Sequence, residues 1–296
     1  MLTVASICLC RTSHADCLQF NSGKTLECRI LAASETNLFV ELPASSASKT
    51  VETDFALADL RRIGFSKSFH DSNGKLDPAF HYDTLDEIWK AFHPVITRPG
   101  NGVALVGLNL SAMMLESKDP SLTDQAFKIL EFVKFNACEP AYQIQAADAE
   151  IQALEGLKRF GEASSVALKF TGGRNPLHLQ LRANLTLGIC GHEEMRIFLE
   201  ENPRWQHDPG VQKKRHAIYE RTLDSYSFTS LFGGENEQLS ARALYQEALF
   251  RLLCAEQTEA DRIYKKLCIR FQNSIYTEQL KNELSIVIQA REKIGR

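Results

Sequence analysis

The chain has 296 residues, 44% of them hydrophobic and 24% charged, with a formal net charge of −3 at pH 7. That length can bury a substantial core in one large domain or two, and the composition is that of a globular protein, not a disordered or collagenous one. A near-neutral balance argues against a nucleic-acid partner held on a broad basic surface, and no apolar run reaches the ~18–20 residues that cross a bilayer.

Residues 1–15 combine a short apolar run (2–10) with Ser13-His14-Ala15, which puts small residues at the two positions a signal peptidase reads. The expectation is a secretory signal whose start lies upstream, cleaved before Asp16. The alternative is an uncleaved N-terminus leading into the first strand, since no basic residue precedes the run and Arg11 follows it. The eight cysteines (Cys8, Cys10, Cys17, Cys28, Cys138, Cys190, Cys254 and Cys268) are scattered and form no Cys-x-x-Cys. Zinc and thioredoxin-like readings therefore lack their spacing, and buried free thiols are the simpler reading.

From residue 16 to 65 the apolar period is two. Leu18 and Phe20 alternate with polar neighbours, Asn21-Ser22-Gly23-Lys24 turns the chain, and Leu26, Cys28 and Ile30 alternate next. A second turn at Ser34-Glu35-Thr36-Asn37 leads to Leu38, Val40 and Leu42; residues 43–48 form a loop of small residues, and 49–55 and 60–65 are weaker strands. Four or five short strands suit a small barrel or curled sheet. If Leu18 and Phe20 share the core face with Leu26 and Cys28, then Cys17 points the other way and a Cys17–Cys28 disulfide is disfavoured.

The pattern D-x-L-x-F-x-S-G-x-x-L-x-C-x-I from Asp16 to Ile30, closing on Asp59-Leu60-Arg61-Arg62-Ile63, resembles small SH3-like barrels. These stand at the front of exported proteins of planctomycete and verrucomicrobial type, often ahead of helical repeats. The resemblance implies a docking module rather than an enzyme. Related Sm-like barrels bind RNA, but Glu27, Glu35, Glu41, Glu52, Asp54 and Asp59 make this one acidic and argue against that role.

Residues 66–82 are polar, with a turn at Asp71-Ser72-Asn73-Gly74 and a breaker at Pro78, and are expected to link the β module to a helical domain over 83–296. Pro94, Pro99-Gly100, Pro120, Pro140, Gly172-Gly173, Pro203, Pro209 and Gly233-Gly234 divide that domain. Helices are expected over 85–92, 103–115, 122–135, 142–170 (split near Phe160-Gly161), 177–189, 193–201, 211–232 and from Ile275 onward.

Residues 240–274 carry the clearest pattern. Ala241, Leu244, Tyr245, Ala248, Leu249 and Leu252 share one helical face, as do Ala260, Ile263, Tyr264, Leu267, Cys268 and Phe271 on a second helix. The break at Ala255-Glu256-Gln257-Thr258 makes the pair antiparallel, with Thr258 capping the second helix. The spacing resembles a tetratricopeptide repeat: Ala260 and Tyr264 reproduce its small residue and following aromatic, and Ala248 its small residue in the first helix. Glu247, Arg251 and Gln272 depart from the family's leucine, tyrosine and closing proline. Ala126 and Ala163 open helices as Ala260 does, and Ala163 and Ala260 are 97 residues apart, close to three repeat units. A non-repetitive bundle is the alternative. The resemblance implies groove-facing positions at Arg242, Tyr245 and Leu249 that contact a protein or peptide; for Tyr245 and Leu249, core between repeats is the simpler reading.

Little in the chain reads as catalytic. His70-Asp71, His81-x-Asp83 and His93 place imidazoles near carboxylates around the linker, without the convergent spacing of a metal site. His192-Glu193-Glu194 lacks the second histidine of a zinc-hydrolase helix and reads as a helix start. Thr171-Gly172-Gly173-Arg174-Asn175-Pro176 lacks the Lys-Ser/Thr of a phosphate loop and reads as a turn, and Lys213-Lys214-Arg215 as a solvated helix start.

The expected fold class is α+β multidomain: a small SH3-like β-barrel, then an all-α tetratricopeptide-like solenoid. The expected function is a non-catalytic protein–protein interaction scaffold of the bacterial cell envelope, with no catalytic residue, metal, cofactor or nucleic acid. The alternatives are a metal-dependent enzyme with a cleft around the linker histidines, and a cytoplasmic adaptor.

Overall fold

Alternating apolar residues give the front of the chain five strands: β1 (Asp16–Phe20), β2 (Thr25–Ala33), β3 (Asn37–Pro43), β4 (Thr50–Ala56) and β5 (Leu60–Gly64). They are seen in a computed structural model that describes residues 16–43, 50–65, 81–117, 119–234 and 236–294. The expected signal segment, the loop after Pro43 and nearly all of the expected linker, His70 included, lie outside those residues. All strand pairs are antiparallel, in the order β4-β3-β2-β1-β5.

The register is the expected one: Leu18 faces Leu26, and Cys17 faces Glu27. Leu18, Cys28, Ile30, Leu38, Val40, Leu60 and Ile63 are buried together. Cys28 is a free thiol, and the period-two pleat puts it and Cys17 on opposite faces. A register shift between Ile30 and Ala32 marks a bulge in β2. Nearby, the buried Asp16 carboxylate accepts the Ile30 N–H at 2.7 Å, satisfying an amide beyond the end of β1.

The chain divides into two compact units within a single helix, between residues 150 and 151. In the first unit the sheet shares one apolar cluster with α1 (Tyr82–Phe92), a 3₁₀ turn (His93–Thr97), α2 (Val103–Glu116), α3 (Pro120–Asn136) and the start of α4 (Pro140–Gly156). A small five-stranded sheet needs its apolar face covered, and Leu85, Trp89, Val95 and Ile96 pack in the same cluster as the strands.

The second unit holds the end of α4, α5 (Phe160–Leu168), α6 (Leu177–Glu201), α7 (Pro209–Phe232), α8 (Glu237–Leu253), α9 (Gln257–Arg270) and α10 (Ile275–Ile294). From α6 onward each helix packs on its predecessor. Contacts between α6 and α7 run in opposite chain directions, with Gly191 against Thr222, Gly188 against Tyr226, and the Leu181 carbonyl accepting from Thr229 at 3.1 Å. Among the described residues every strand precedes Phe65.

Three local expectations are corrected. Residues 177–201 form one helix, not two, because Gly188 and Gly191 mark close approach instead of a break. A Cβ on Gly188 would lie 2.5 Å from Tyr226 Cε1. His192-Glu193-Glu194 consequently lies mid-helix, with the His192 ring edge-on to Phe250 at 5.5 Å. Thr258 falls inside the first turn of α9, because the chain reverses at Ala255 (φ 65°) and Glu256 takes the N-cap position without a side-chain cap.

Candidate interaction surface

Helix α8 is the middle of the second unit and is apolar on two sides. Ala241, Leu244 and Ala248 join a cluster with α9 and α10, while Leu239, Ala243 and Phe250 join another with α6 and α7. The three expected groove positions are engaged within this packing. Arg242 forms an ion pair with Glu155 at the end of α4, and the same carboxylate accepts from Thr186 Oγ1 at 3.0 Å. The Tyr245 ring lies 5.6 Å from that of Tyr276, and burial raises its hydroxyl pKa. Leu249 packs on the cluster shared with α9 and α10.

The two α8 residues that depart from the repeat pattern build a polar clamp. Arg251 donates to Glu256 Oε2 at 2.6 Å and to the Tyr219 hydroxyl, which in turn donates to Glu256 at 2.7 Å. Glu247 sits 3.7 Å from Arg251, and its carboxyl is raised above the usual range by burial, against the pull of the guanidinium. Burial, then the Glu256 hydrogen bond, pushes the Tyr219 hydroxyl up to about 12. Arg215 stacks 4.3 Å over Trp205 and 5.7 Å from Tyr219, so the basic triplet is not uniformly solvated: Lys213 and Lys214 are exposed and Arg215 is half-buried. Held between arginine and carboxylate, this phenol ties the α8–α9 turn to α7.

The opposite end differs in character. Because α5 to α10 alternate in direction, the α5–α6, α7–α8 and α9–α10 turns share one end of the unit. Leu168, Leu177, Leu231, Phe232, Ile269 and Ile275 flank those turns and are between 49% and 82% exposed. Of the exposed large apolar side chains described in this unit, only Leu157 and Ile197 lie elsewhere. A surface hollow of about 500 Å³ opens at this end, lined by Glu237 and Gln238 at the start of α8 and by Arg270, Phe271, Ser274 and Tyr276 around the α9–α10 turn. Sequence reasoning missed this rim, although each of its members lies within about a helical turn of a Gly or Asn break.

The other expected constellations are dispersed. His81 and His93 stand at opposite ends of α1, about 18 Å apart at 1.5 Å per residue. His93 stacks on Trp89 at 5.7 Å. Among the described residues no three metal-ligating side chains gather. The 171–176 segment is a turn held by its own Asn175, whose amide donates to the Gly172 carbonyl at 3.3 Å. No helix among the described residues is long and apolar enough to cross a membrane.

No protein-family model matches the chain, and neither curated proteins nor solved structures give a match. What the fold defines is a class: a five-stranded antiparallel sheet built into a first unit with helices, followed by a stack of helices.

Proposed function

We propose that this chain is a non-catalytic protein–protein interaction scaffold that receives its partner at the apolar end of the second unit. The observation that carries this reading is the collection of Leu168, Leu177, Leu231, Phe232, Ile269 and Ile275 at one end of the helical stack. Exposed apolar side chains gathered toward one end of a fold support a site of macromolecular contact, and helical stacks present extended surfaces for such contacts. The strand order and the 3₁₀ turn (Leu57–Asp59) before β5 support the SH3-like docking reading of the front sheet. In this reading Arg242, Tyr245 and Leu249 hold α8 in place. On the resemblance of the front sheet to exported proteins, the scaffold works in the bacterial envelope.

One observation favours a second reading, a cytoplasmic adaptor: Cys28, Cys138, Cys190, Cys254 and Cys268 are free thiols, which suits a reducing compartment. The test of the scaffold is site-specific photo-crosslinking in the native cell. Probes at Phe232 and at Ile275 are expected to capture the same protein, and a probe at Lys213, at the far end of α7, is expected not to. Equal capture from Lys213, or none from either rim position, would refute it.

A further inference from the structure

We infer that the outer edge of β4 takes up an extended peptide segment that alternates basic and apolar residues, as a sixth strand. This stands independently of the surface proposed on the second unit.

β4 ends the strand order, and its whole length pairs with β3 on one side only. The phase of that pairing is fixed at its start. Leu57 N–H donates to the Thr36 carbonyl at 2.7 Å, in the register that continues through Asn37↔Ala56 and Leu38↔Phe55. Hydrogen-bonded and non-bonded pairs alternate in an antiparallel ladder, so Val51, Thr53 and Phe55 bond inward to β3. Pro43, which has no N–H, accordingly falls opposite Thr50 in the non-bonded class. The backbone groups of Glu52 and Asp54 therefore point outward, and no hydrogen bond occupies them among the described residues. At the other end of the order, β5 lies beside the turn near Gly100, over which the Arg62 guanidinium packs.

Side-chain chemistry selects the occupant. Glu52 and Asp54 project on one face of β4, next to Glu41 of β3. Glu41 lies 3.5 Å from the Arg29 guanidinium and Asp54 accepts from the Asn37 amide at 2.6 Å, which leaves Glu52 as the carboxylate for an incoming cation. Val51 and Phe55 project on the other, Val51 more than half exposed and Phe55 edge-on to Phe20 at 5.1 Å. A second copy pairing β4 on β4 antiparallel about Thr53 would set Glu52 against Asp54 twice, and like charges directly opposed destabilise a sheet. A strand with lysine or arginine on the acidic face and aliphatic residues against Val51 and Phe55 meets both faces. Edge hydrogen bonds supply the affinity of strand addition, and alternate side chains its selectivity.

The test uses the full chain, amide hydrogen exchange and two synthetic peptides, one alternating lysine with valine and one alternating glutamate with valine. In the free protein the Glu52 and Asp54 amides should exchange fast. The lysine peptide should slow both by at least tenfold, and the glutamate peptide should not. Glu52→Pro removes one outward N–H at a position where an edge proline is tolerated, and should abolish binding. The double variant Glu52→Lys/Asp54→Lys keeps both amides and should reverse the preference between peptides. The inference is overturned if these amides are already protected in the free chain, if raising protein concentration alone protects them, or if the lysine peptide binds Glu52→Pro as well as the unaltered chain.

Discussion

Where α6 crosses α7, the space for a side chain on α6 is taken by the Tyr226 ring and by Thr222, so Gly188 and Gly191 set the distance between the two helices. In isolation, Gly→Ala inside a helix stabilises by about 1 kcal/mol. Here overpacking against the buried Tyr226 opposes that gain, and Gly188→Ala should be destabilising by about 1–3 kcal/mol, read as a lowered Tm in thermal unfolding. An unchanged or raised Tm would mean that the two helices are not this close. Cysteine chemistry is also set by position. Burial, the largest cause at each site, lifts the Cys28 and Cys190 thiols from 9.0 to about 12 and that of Cys254 from 9.0 to about 11. Above pH 9.0 the unfolded chain releases these protons while the folded chain keeps them. Their contribution to stability is therefore complete below about pH 9 and lost as pH rises toward 11–12. Alkylation at pH 8 followed by mass mapping should modify the exposed Cys138 first and Cys28 and Cys190 last.

At the scale of elements, periodicity revealed what faces one partner and obscured what faces two. β1 to β3 bury one face each, and their register followed from Leu18, Cys28 and Val40. Helix α8 buries Ala241, Leu244 and Ala248 on one side and Leu239, Ala243 and Phe250 on the other, so the single stripe read from its spacing was half of its packing. The clamp was illegible for a related reason. Glu247 and Arg251 looked like defects in a repeat pattern, because Tyr219 and Glu256 reach them only through the fold. Two substitutions at this turn should act in opposite directions. Glu256→Ala strips the acceptor from Tyr219 and Arg251, and should lower stability by about 1–3 kcal/mol. Ala255→Gly relieves a left-handed backbone at φ 65° and should raise it by about 0.5–1 kcal/mol. Urea midpoints of the two variants decide between this account and a turn that is merely solvent-exposed.

At the scale of the whole molecule, the α+β layout was legible because the apolar period changes from two to near four along the chain. The limits of the compact units were not. Sequence breaks locate chain reversals, whereas the first unit is defined by which helices share the sheet's core, and that property is written only in contacts such as those of Trp89 and Ile96. The apolar rim was missed because its residues are scattered over three turns and converge only when the helices alternate. The most direct test is the triple variant Leu231→Ser/Phe232→Ser/Ile275→Ser, measured for association with the protein captured at Phe232. Exposed positions change stability by no more than about 0.5 kcal/mol each, so the variant should keep its unfolding transition within a few degrees and lose association at least tenfold. Full association with an intact fold would contradict the scaffold assignment.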